Sequence, residues 1–422
     1  MAGEWKRTSL REAGVSLIDC DHRTPPAADS GYPYVAIPQL KEGRLALSDV
    51  RRISPEHFVE WTRKAKPQHH DVILSRRCNP GETAYVPEGL ECALGQNLVL
   101  LHSDGTKVFP PFLRWLLAGP DWWEQVGTFV NVGAIFNSLK CADIPNFKMP
   151  LPPLAEQKAI ASVLGALDDK IELNRRMNAT LEAMARALFQ SWFVDFDPVR
   201  AKLDGRQPVG LDPATAALFP SVFHETRLGH IPLGWQAGRL ADLCNLKRGH
   251  DLPTDTRTAG TIPVVSSSGI SGSHFETNVR GPGVVTGRYG TIGKVFYIDA
   301  DYWPLNTTLY VEDFKSSPPR FIFHILGEVN FSNYTDKAAV PGVNRNHLHE
   351  EPTVLPPMEV RHAFARITAP LWSKHAANEC QSKTLATLRD TLLPQLLSGE
   401  LRVAGGNPPE LPDSSKLGKV SP

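Results

Sequence analysis

The chain of 422 residues is long enough for two domains with cores of their own, and 41% hydrophobic and 21% charged residues are ordinary values for a soluble globular protein. Its 45 Lys and Arg residues are balanced by 45 Asp and Glu residues, so the net charge gives no sign of a polyanionic partner. Any nucleic-acid surface must therefore be local.

Cysteine usage and the lack of long apolar runs predict a cytoplasmic protein. The six cysteines form no CxxC pair, which suits a reducing compartment and argues against a zinc module. Residues 1–14 carry no apolar core of a signal peptide, and no later run approaches the length of a membrane span.

Two halves of similar layout follow one another along the chain. Each begins with an irregular, Pro- and Gly-rich segment that contains short β-like runs, at residues 71–77 in the first half and 283–298 in the second. A small apolar helix is predicted next, from Phe112 in one half and from Phe321 in the other. Each half then closes with a Pro-Pro pair and a long helix.

The long helices are the best-defined predicted elements. They start at Pro153 and Pro357, because proline fits the first turn of a helix and blocks its extension upstream. The first helix has seam positions that alternate between steps of three and four, as in a coiled coil: Gln157, Ile160, Leu164, Leu167, Ile171, Asn174, Asn178, Leu181, Ala185, Leu188 and Trp192. The matching every-seventh positions of the second helix are Phe364, Leu371, Asn378, Leu385 and Leu392.

Asn174 and Asn378 occupy the central layer of the two seams, and we expect them to face each other in an antiparallel helix pair. An asparagine in a seam costs stability but sets the register, because a slip would leave its amide against leucine. The other layers then join Ile160 to Leu392, Leu167 to Leu385, Leu181 to Leu371 and Leu188 to Phe364. Such a pair over residues 154–192 is a spacer of about 58 Å. The alternative is that both asparagines are exposed on amphipathic helices that pack onto their own domains.

Matched residues in the two halves indicate an internal duplication. At an offset of 204 residues, Leu151, Pro152, Pro153, Lys170 and Thr180 recur as Leu355, Pro356, Pro357, Lys374 and Thr384. The seam residues Leu167, Asn174, Leu181 and Leu188 recur as Leu371, Asn378, Leu385 and Leu392. Towards the N-terminus the offset grows in one direction, as insertions in the first copy would make it do. There Gly133, Asn137 and Leu139 match Gly342, Asn346 and Leu348, and Val72, Arg76, Gly81 and Tyr85 match Val284, Arg288, Gly293 and Tyr297. The period far exceeds that of solenoid repeats, so a whole domain is duplicated.

The sequence carries no complete catalytic or metal-binding motif. Residues 287–295 resemble a phosphate loop but lack its first glycine, and residues 79–81 lack the second proline and the aromatic residue of an adenine-methylating signature. Residues 313–315 match only the short half of a nuclease site, a pattern that arises by chance in most chains. The histidines at 69–70 and 347–349 have no acidic or Cys partner at a helix-compatible spacing, so no metal is predicted.

Four segments together resemble the specificity subunits of type I restriction-modification systems. They are the central helix region at 150–202, the linker at 210–220, the restart of the repeat at 229–235 and the C-terminal segment at 387–403. The resemblance extends over the whole chain and is weak only over the variable parts of each half. It implies an α+β fold with two pseudo-repeated α/β target recognition domains, separated by two long conserved helices that form an antiparallel coiled coil.

This resemblance implies domain boundaries that agree with the two copies of the repeat. They are target recognition domain 1 at 1–150, the central conserved helix at 151–195, a linker at 196–229, target recognition domain 2 at 230–354, the C-terminal conserved helix at 355–402 and a tail at 403–422. The tail is rich in Gly, Pro and Ser, a composition typical of disorder. Each recognition domain would read one part of a split, asymmetric DNA sequence.

The resemblance also implies partners. The chain would be a non-catalytic subunit, with two modification subunits that bind S-adenosylmethionine and methylate adenine docked on its helices. Two restriction subunits would supply DNA cleavage that depends on ATP and Mg. No cofactor is expected on this chain, and no membrane partner. The alternative is a coiled-coil scaffold that bridges proteins without reading DNA, against which the divergence of the halves outside their helices argues.

Candidate DNA contacts come from side-chain chemistry, because the recognition segments diverge too far for a residue-by-residue transfer. Arg76 and Arg288 hold equivalent positions after a β run, and arginine can bridge guanine O6 and N7 or bind a phosphate. The further candidates are Arg77, Tyr289, Lys294, Lys247, Arg248, Lys64, Asn344 and Arg345. The alternative for each is a solvated or salt-bridged surface side chain. Gly133, Asn137 and Leu139 are predicted to build the turn into the long helix instead.

Overall fold

The computed structural model describes residues 5–133, 135–334 and 342–403. The chain forms two compact units: unit 1 comprises Met1–Asn174 and Cys380–Pro422, and unit 2 comprises Arg175–Glu379. Each unit thus holds one copy of the repeat together with a part of both long helices. The segment boundaries drawn from the sequence stay predictions, and the predicted tail beyond Val403 lies outside the described residues.

Unit 1 mixes short strands with helices. Its strands are Arg7–Ser9 (β1), Val15–Asp19 (β2), Tyr32–Val35 (β3), Leu40–Lys41 (β4), Arg44–Leu45 (β5), Arg52–Ile53 (β6), Val72–Ser75 (β7), Thr83–Tyr85 (β8), Ala93–Leu94 (β9), Leu98–Ser103 (β10) and Lys148–Pro150 (β11). Its helices are Pro55–Trp61 (α1), Pro110–Leu116 (α2), Pro120–Phe129 (α3) and the first part of Leu154–Phe193 (α4). The main sheet is antiparallel in the order β2-β10-β7-β8.

Unit 2 has the same kind of composition. Its helices are the rest of α4, Asp197–Leu203 (α5), Pro213–Ala217 (α6), Leu240–Leu243 (α7), Pro319–Glu328 (α8), Arg345–His349 (α9) and the first part of Met358–Ser398 (α10). Its strands are Phe223–Thr226 (β12), Gly229–Pro232 (β13), Gln236–Arg239 (β14), Asn245–Arg248 (β15), Ile262–Ser266 (β16), Gly269–His274 (β17), Gly283–Gly287 (β18), Val295–Ile298 (β19), Trp303–Pro304 (β20), Thr308–Asp313 (β21) and Pro352–Leu355 (β22).

The two units repeat one topology, which confirms the internal duplication. The sheet β15-β21-β18-β19 has the strand order and the antiparallel sense of β2-β10-β7-β8. Strand β14 pairs with β22 as β1 pairs with β11. Strand β16 lies antiparallel to β17 and parallel to β20, as β3 lies to β6 and β9. The small apolar helices predicted from Phe112 and Phe321 are α2 and α8.

The strands β7 and β18 are buried along their whole length because both faces of each main sheet are covered. In β7, Val72 and Leu74 point into the core that contains α2, while Ile73 points into a second core on the opposite face. In unit 2, Val284 and Val285 divide between two cores in the same way. Successive strand residues face opposite sides, so each buried side chain contributes about 1.5–3 kcal/mol to one core or the other.

The long helices start as predicted, with α4 at Leu154 after Pro153 and α10 at Met358 after Pro357. Both cores next to the main sheets receive side chains from them: Ile160 and Leu396 in unit 1, and Phe364 in unit 2. The helices are therefore integral to each unit. None of the helices in the described ranges is long and apolar enough to cross a membrane.

Within unit 1 the helix segments run antiparallel. Arg389 Nη1 donates to Asp168 Oδ1 at 2.7 Å, and one turn and a half further along α4 Asn174 Nδ2 donates to Gln381 Oε1 at 2.9 Å. From Asp168 to Asn174 the residue number in α4 rises, while the number of the partner in α10 falls from Arg389 to Gln381. Asn174 is 0% exposed.

The segments in unit 2 pair in the same sense. Asn378 Nδ2 donates to Asn178 Oδ1 at 2.8 Å, and His375 Nε2 lies 2.8 Å from Glu182 Oε1. Asn378 is 2% exposed, so the alternative of asparagines exposed on unpaired helices is wrong. The antiparallel coiled coil is confirmed, whereas a direct contact between Asn174 and Asn378 stays a prediction.

The apolar layers agree with the predicted register. Ile160 and Leu392 share a core cluster in unit 1, and Leu188 and Phe364 share one in unit 2. The remaining layer residues Leu167, Leu385, Leu181 and Leu371 are half-buried. The side chains of Asn174 and Asn378 are thus more deeply buried than these leucines.

The segment interpreted as a linker, residues 196–229, packs into unit 2. It contains α5, α6 and β12, and Phe196, Val199 and Phe219 are buried in the core that also holds Trp192. Strand β12 then pairs with β13 at the restart of the repeat. The return of the chain to the second copy is therefore part of the core of unit 2.

Candidate nucleic-acid interface

Six of the ten sequence candidates line one cleft of unit 2, with a volume of about 570 Å³. Its cationic side chains are those of Lys247, Arg248, Arg288 and Arg345, against the single carboxylate of Asp251 among the lining residues. A chain without net charge thus concentrates positive charge at one place. Such a concave, cationic surface raises the local concentration of an anionic ligand.

The main sheet of unit 2 brings these residues together. Lys247 and Arg248 end β15, whereas Arg288 follows β18, and both strands flank β21. Asn344 and Arg345 reach the same cleft from the start of α9. Three segments that are far apart in the sequence therefore converge at one end of the sheet.

Arg288 is the cation of the cleft that lies over an aromatic ring. Its backbone N donates to Thr307 O at 2.8 Å and its carbonyl accepts from Val343 N at 3.0 Å, so both sides of its peptide are held. Its guanidinium carbon lies 4.6 Å from the ring centroid of Tyr289. Among the described residues no carboxylate lies within 4.0 Å of this guanidinium. The salt-bridged alternative therefore does not apply to Arg288 within that part of the chain.

Tyr289 in turn depends on Gly342. The two residues form a β-bridge, and a Cβ atom at Gly342 would lie 2.2 Å from Tyr289 Cε1. Only glycine leaves room for the ring in this position. Gly342 thus supports the ring under Arg288, upstream of β22.

Lys247 and Arg248 are more exposed. Lys247 Nζ lies 2.5 Å from Glu312 Oε1, and this hydrogen bond raises the pKa of Lys247 above its ordinary value. Arg248 Nη2 lies 3.9 Å from Asp251 Oδ2, with about half of each side chain or more in solvent. Exposed pairs of this kind are worth at most about 1 kcal/mol, so both cations remain available to a ligand.

Asn344 has a structural role besides its place in the cleft. Its side chain caps α9 by accepting from Asn346 N at 3.0 Å, which leaves only the amide NH₂ to donate to a ligand. Arg345 is exposed at the first position of the same helix. Lys294, by contrast, is not among the lining residues, and its Nζ lies 5.5 Å from the ring centroid of Phe296.

Unit 1 repeats the support of the arginine at the end of its own strand. Arg76 N donates to Asn97 O at 3.1 Å, and Leu139 N donates to Arg76 O at 2.8 Å. The guanidinium carbon of Arg77 lies 5.5 Å from the ring centroid of Phe136. Leu139, predicted to build a turn, thus holds the arginine backbone, as Val343 does in unit 2.

The same edge of unit 1 exposes apolar side chains that sequence reasoning missed. Val132 is 83% exposed and Ile135 is 90% exposed, in the loop that bridges to Arg77 through Ser138. Apolar groups beside arginines are suited to thymine methyl groups or to the faces of unstacked bases. Their sequence signal is indistinguishable from that of core residues.

Lys64 lies elsewhere in unit 1. It is exposed after α1, and its charge adds to the hydrogen bond from Arg23 in lowering the pKa of Asp21. Nothing in the described residues joins it to Arg76. Lys64 is therefore a surface cation near an acidic residue, and its contact with DNA stays a prediction.

Three residues of unit 1 have ligand atoms within 4.8 Å of one another, namely Asp19, Cys20 and His22. Each is already engaged: Cys20 Sγ donates to Gly95 O at 3.2 Å, and His22 Nε2 lies 3.0 Å from Asp19 Oδ2. Burial raises the pKa of the Cys20 thiol to about 11, which favours the protonated form over a metal-binding thiolate. We assign no metal to this group.

Comparison with known proteins identifies the family. The model of the type I restriction modification DNA specificity domain matches residues 22–183 and, a second time, residues 232–383. The chain belongs to this family. Each match covers most of one copy of the repeat and ends inside a long helix, so the family's domain includes both the sheet region and the helix that closes it.

Individual members of the family are distant in sequence. The type I restriction enzyme HindI specificity subunit of Haemophilus influenzae is 24% identical over 396 residues, which cover 78% of this chain and 86% of the relative. The MjaIX specificity subunit of Methanocaldococcus jannaschii is 23% identical, with 79% and 78% covered. The crystal structure of a type I restriction-modification S subunit from M. genitalium superposes with a TM-score of 0.55 at 15% identity, over 93% of this chain and 96% of that one. This likeness concerns the fold.

Proposed function

We propose that the chain is the DNA sequence-specificity subunit of a type I restriction-modification complex. Each unit reads one part of a bipartite, asymmetric DNA site. The observation that carries this proposal is the double family match, onto two units that each hold an arginine at the same strand end, Arg76 and Arg288. A single reader would not need the second copy, and two identical readers would not need to differ in the residues around those arginines.

The chemistry of the unit 2 cleft supports DNA as the ligand. Four cationic side chains face one carboxylate, and arginine and lysine supply the phosphate contacts that dominate the affinity of proteins for DNA. Arginine and asparagine also match the edges of guanine and adenine in the major groove. A coiled-coil scaffold would explain the helices, but it has no use for this cleft.

Catalysis lies in partner subunits in this proposal. Two modification subunits bind S-adenosylmethionine and methylate adenine, and two restriction subunits cleave DNA with ATP and Mg, while this chain binds no cofactor and acts in the cytoplasm. The helix pair offers the docking surface for the modification subunits, and its length sets the unread gap between the two parts of the site. The chain thereby determines the DNA site on which the complex acts.

Mapping of methylated adenines tests the proposal. In cells that carry the complete system, the wild-type chain should yield one bipartite motif. Arg76→Ala should then relax or abolish only one part of the motif, and Arg288→Ala only the other, because the two arginines belong to different units. Loss of both parts in either variant, with the chain still folded, would contradict the assignment of one reader to each unit.

A further inference from the structure

We propose that the cations of the unit 2 cleft divide their work: Arg288 reads the major-groove edge of a guanine, whereas Lys247 and Arg248 hold backbone phosphates. The inference rests on the proposed function, since it assigns roles within the same DNA-binding cleft. It goes further in naming one specificity-determining residue and one base.

The Arg288 guanidinium has a support that the side chains of Lys247 and Arg248 lack. A base edge has to be met in a defined position, whereas a phosphate can be met by a mobile cation. Arg288 has its backbone held on both sides, by Thr307 and Val343, and its guanidinium lies over the Tyr289 ring. That ring is itself confined by Gly342. Gly342 thus positions the Tyr289 ring, and the ring in turn supports the Arg288 guanidinium.

The N–H donors of the Arg288 guanidinium are also available to a ligand. A guanidinium carries five N–H donors in a planar fork that matches guanine O6 and N7. Within the described residues neither a carboxylate nor another side-chain acceptor engages the fork of Arg288. The side chain is half-buried, so its donors are aimed into the cleft rather than spread over the surface.

The side chains of Lys247 and Arg248 have the opposite properties, although their backbones are likewise held, in β15. Their side chains are 42% and 53% exposed, and each is paired with a carboxylate that is itself exposed. Neither has an aromatic ring under it among the described residues. Long, solvated side chains of this kind supply charge without a fixed direction, which suits the phosphates on either side of a base that is read.

Asp251 supports a mixed site rather than a phosphate clamp. Its carboxylate lines the same cleft, where it accepts a hydrogen bond from Asn306 Nδ2 and faces Arg248. A clamp built only for phosphate gains nothing from a negative charge among its cations. A cleft that receives a base edge tolerates one, because base edges carry donors as well as acceptors.

The test compares conservative and truncating variants in the full chain. A randomised double-stranded DNA library is selected with the wild-type protein, and binding of the selected duplex, its single-base-pair variants and an unrelated duplex is measured over a range of salt concentrations. The variants are Arg288→Lys and Arg288→Ala, with Arg248→Lys and Arg248→Ala as matched controls from the same cleft. Thermal unfolding confirms that each variant is folded.

Arg288→Lys keeps the charge but loses the fork, so the preference for one G·C pair should fall by about 10- to 100-fold while the salt dependence stays unchanged. Arg248→Ala should weaken binding to every duplex alike and lower the slope of log affinity against log salt by about one, and Arg248→Lys should restore both. Tyr289→Phe should behave like the wild type, and Tyr289→Ala should share the loss seen in Arg288→Lys.

Three results overturn the inference. If Arg288→Lys keeps the full base preference, or Arg288→Ala weakens all duplexes alike with a lower salt slope, Arg288 is a phosphate contact and the proposed function still stands. If the folded wild-type chain selects no sequence at all, the proposed function fails and the inference fails with it.

Discussion

The carboxylate of Asp168 in α4 accepts a hydrogen bond from Arg389 in α10 at 2.7 Å and is only 7% exposed. Two further guanidiniums share it: Arg44 lies 3.1 Å from Oδ1 and Arg114 lies 3.3 Å from Oδ2. Arg44 belongs to β5 and Arg114 to α2, so one buried carboxylate ties the sheet region of unit 1 to both helices.

Asp168→Asn should therefore destabilise unit 1 by about 3–5 kcal/mol, because three guanidiniums that are each less than 20% exposed lose their common counter-charge. Urea unfolding of the full chain measures the loss. Asp169→Asn is the matched control, since Asp169 is the exposed neighbour on the same helix and its removal should change stability by less than about 0.5 kcal/mol. Equal stabilities of the two variants would show that the network contributes nothing.

The Asn178–Asn378 pair makes a second prediction. Asn378→Leu removes the donor to the half-buried Asn178 Oδ1 and should cost about 1–3 kcal/mol, because this oxygen then faces leucine. The double variant Asn178→Leu, Asn378→Leu should recover a part of that loss, since leucine then faces leucine, but with less control of register. Thermal unfolding measures the stability of both. A double variant that is less stable than the sum of its single variants would argue against the paired layer.

Gly342→Ala should disturb the cleft without unfolding the unit. The new methyl group would meet Tyr289 Cε1 at 2.2 Å, so the ring must move and Arg288 loses its support. We expect a reduced sequence preference in DNA binding with a stability loss of about 1–3 kcal/mol. Gly327→Ala in α8 is the control, because a Cβ atom there meets nothing within 4 Å and alanine favours a helix. An unchanged sequence preference in Gly342→Ala would show that the position of the Tyr289 ring does not affect DNA recognition.

His324 predicts a pH dependence of unit 2. Burial among Phe189, Phe364 and Trp372, with a further effect of Arg320, lowers the pKa of His324 to about 4 from 6.5. Between these two pH values the unfolded chain binds a proton that the folded chain does not. The stability that the neutral His324 side chain gives to the fold is complete above pH 6.5. As the pH falls towards 4, the free energy of unfolding drops by on the order of 3 kcal/mol.

His324→Phe removes this titration, so the variant should gain stability relative to the wild type as the pH is lowered. Urea unfolding at pH 8, 6 and 5 measures the difference between the two proteins, which cancels the titration of all other groups. A difference that does not change with pH would mean that His324 takes up its proton equally in the folded and the unfolded chain.

The length of the helix pair gives the last prediction. Insertion of seven residues into both α4 and α10, in matched layers, keeps the seam in phase and lengthens the pair by about 10 Å, or roughly three base pairs. The unread gap of the methylated motif should grow accordingly while the two read parts stay the same. An unchanged gap would show that the length of the helix pair does not set the distance between the two read parts.

The sequence predicted the helical part of the fold well. Pro153 and Pro357, the alternating seam and the matched positions of the repeat were sufficient for the helix starts, the antiparallel pairing and the duplication. The helix starts and the pairing depend on the chemistry of proline and on residues three, four or seven positions apart, and such short spacings can be read from the sequence. The duplication can be read from it because the same residues recur at a nearly constant offset.

The candidate site was predicted only in its parts. Lys247, Arg288 and Asn344 were each proposed from their residue type, but only the strand order β15-β21-β18 brings them to one cleft. The contact of Gly342 with Tyr289 was not predicted, because the two residues are 53 positions apart in the sequence.

By itself, then, the sequence determined the duplication, the paired helices and the family to which the chain belongs. The tertiary structure alone decided which side chains share a cleft and which charges share a carboxylate. Asp168 is the clearest case: its partners Arg44, Arg114 and Arg389 come from three distant segments. Such contacts depend on how sheets and helices pack after they have formed, and no local spacing records that packing.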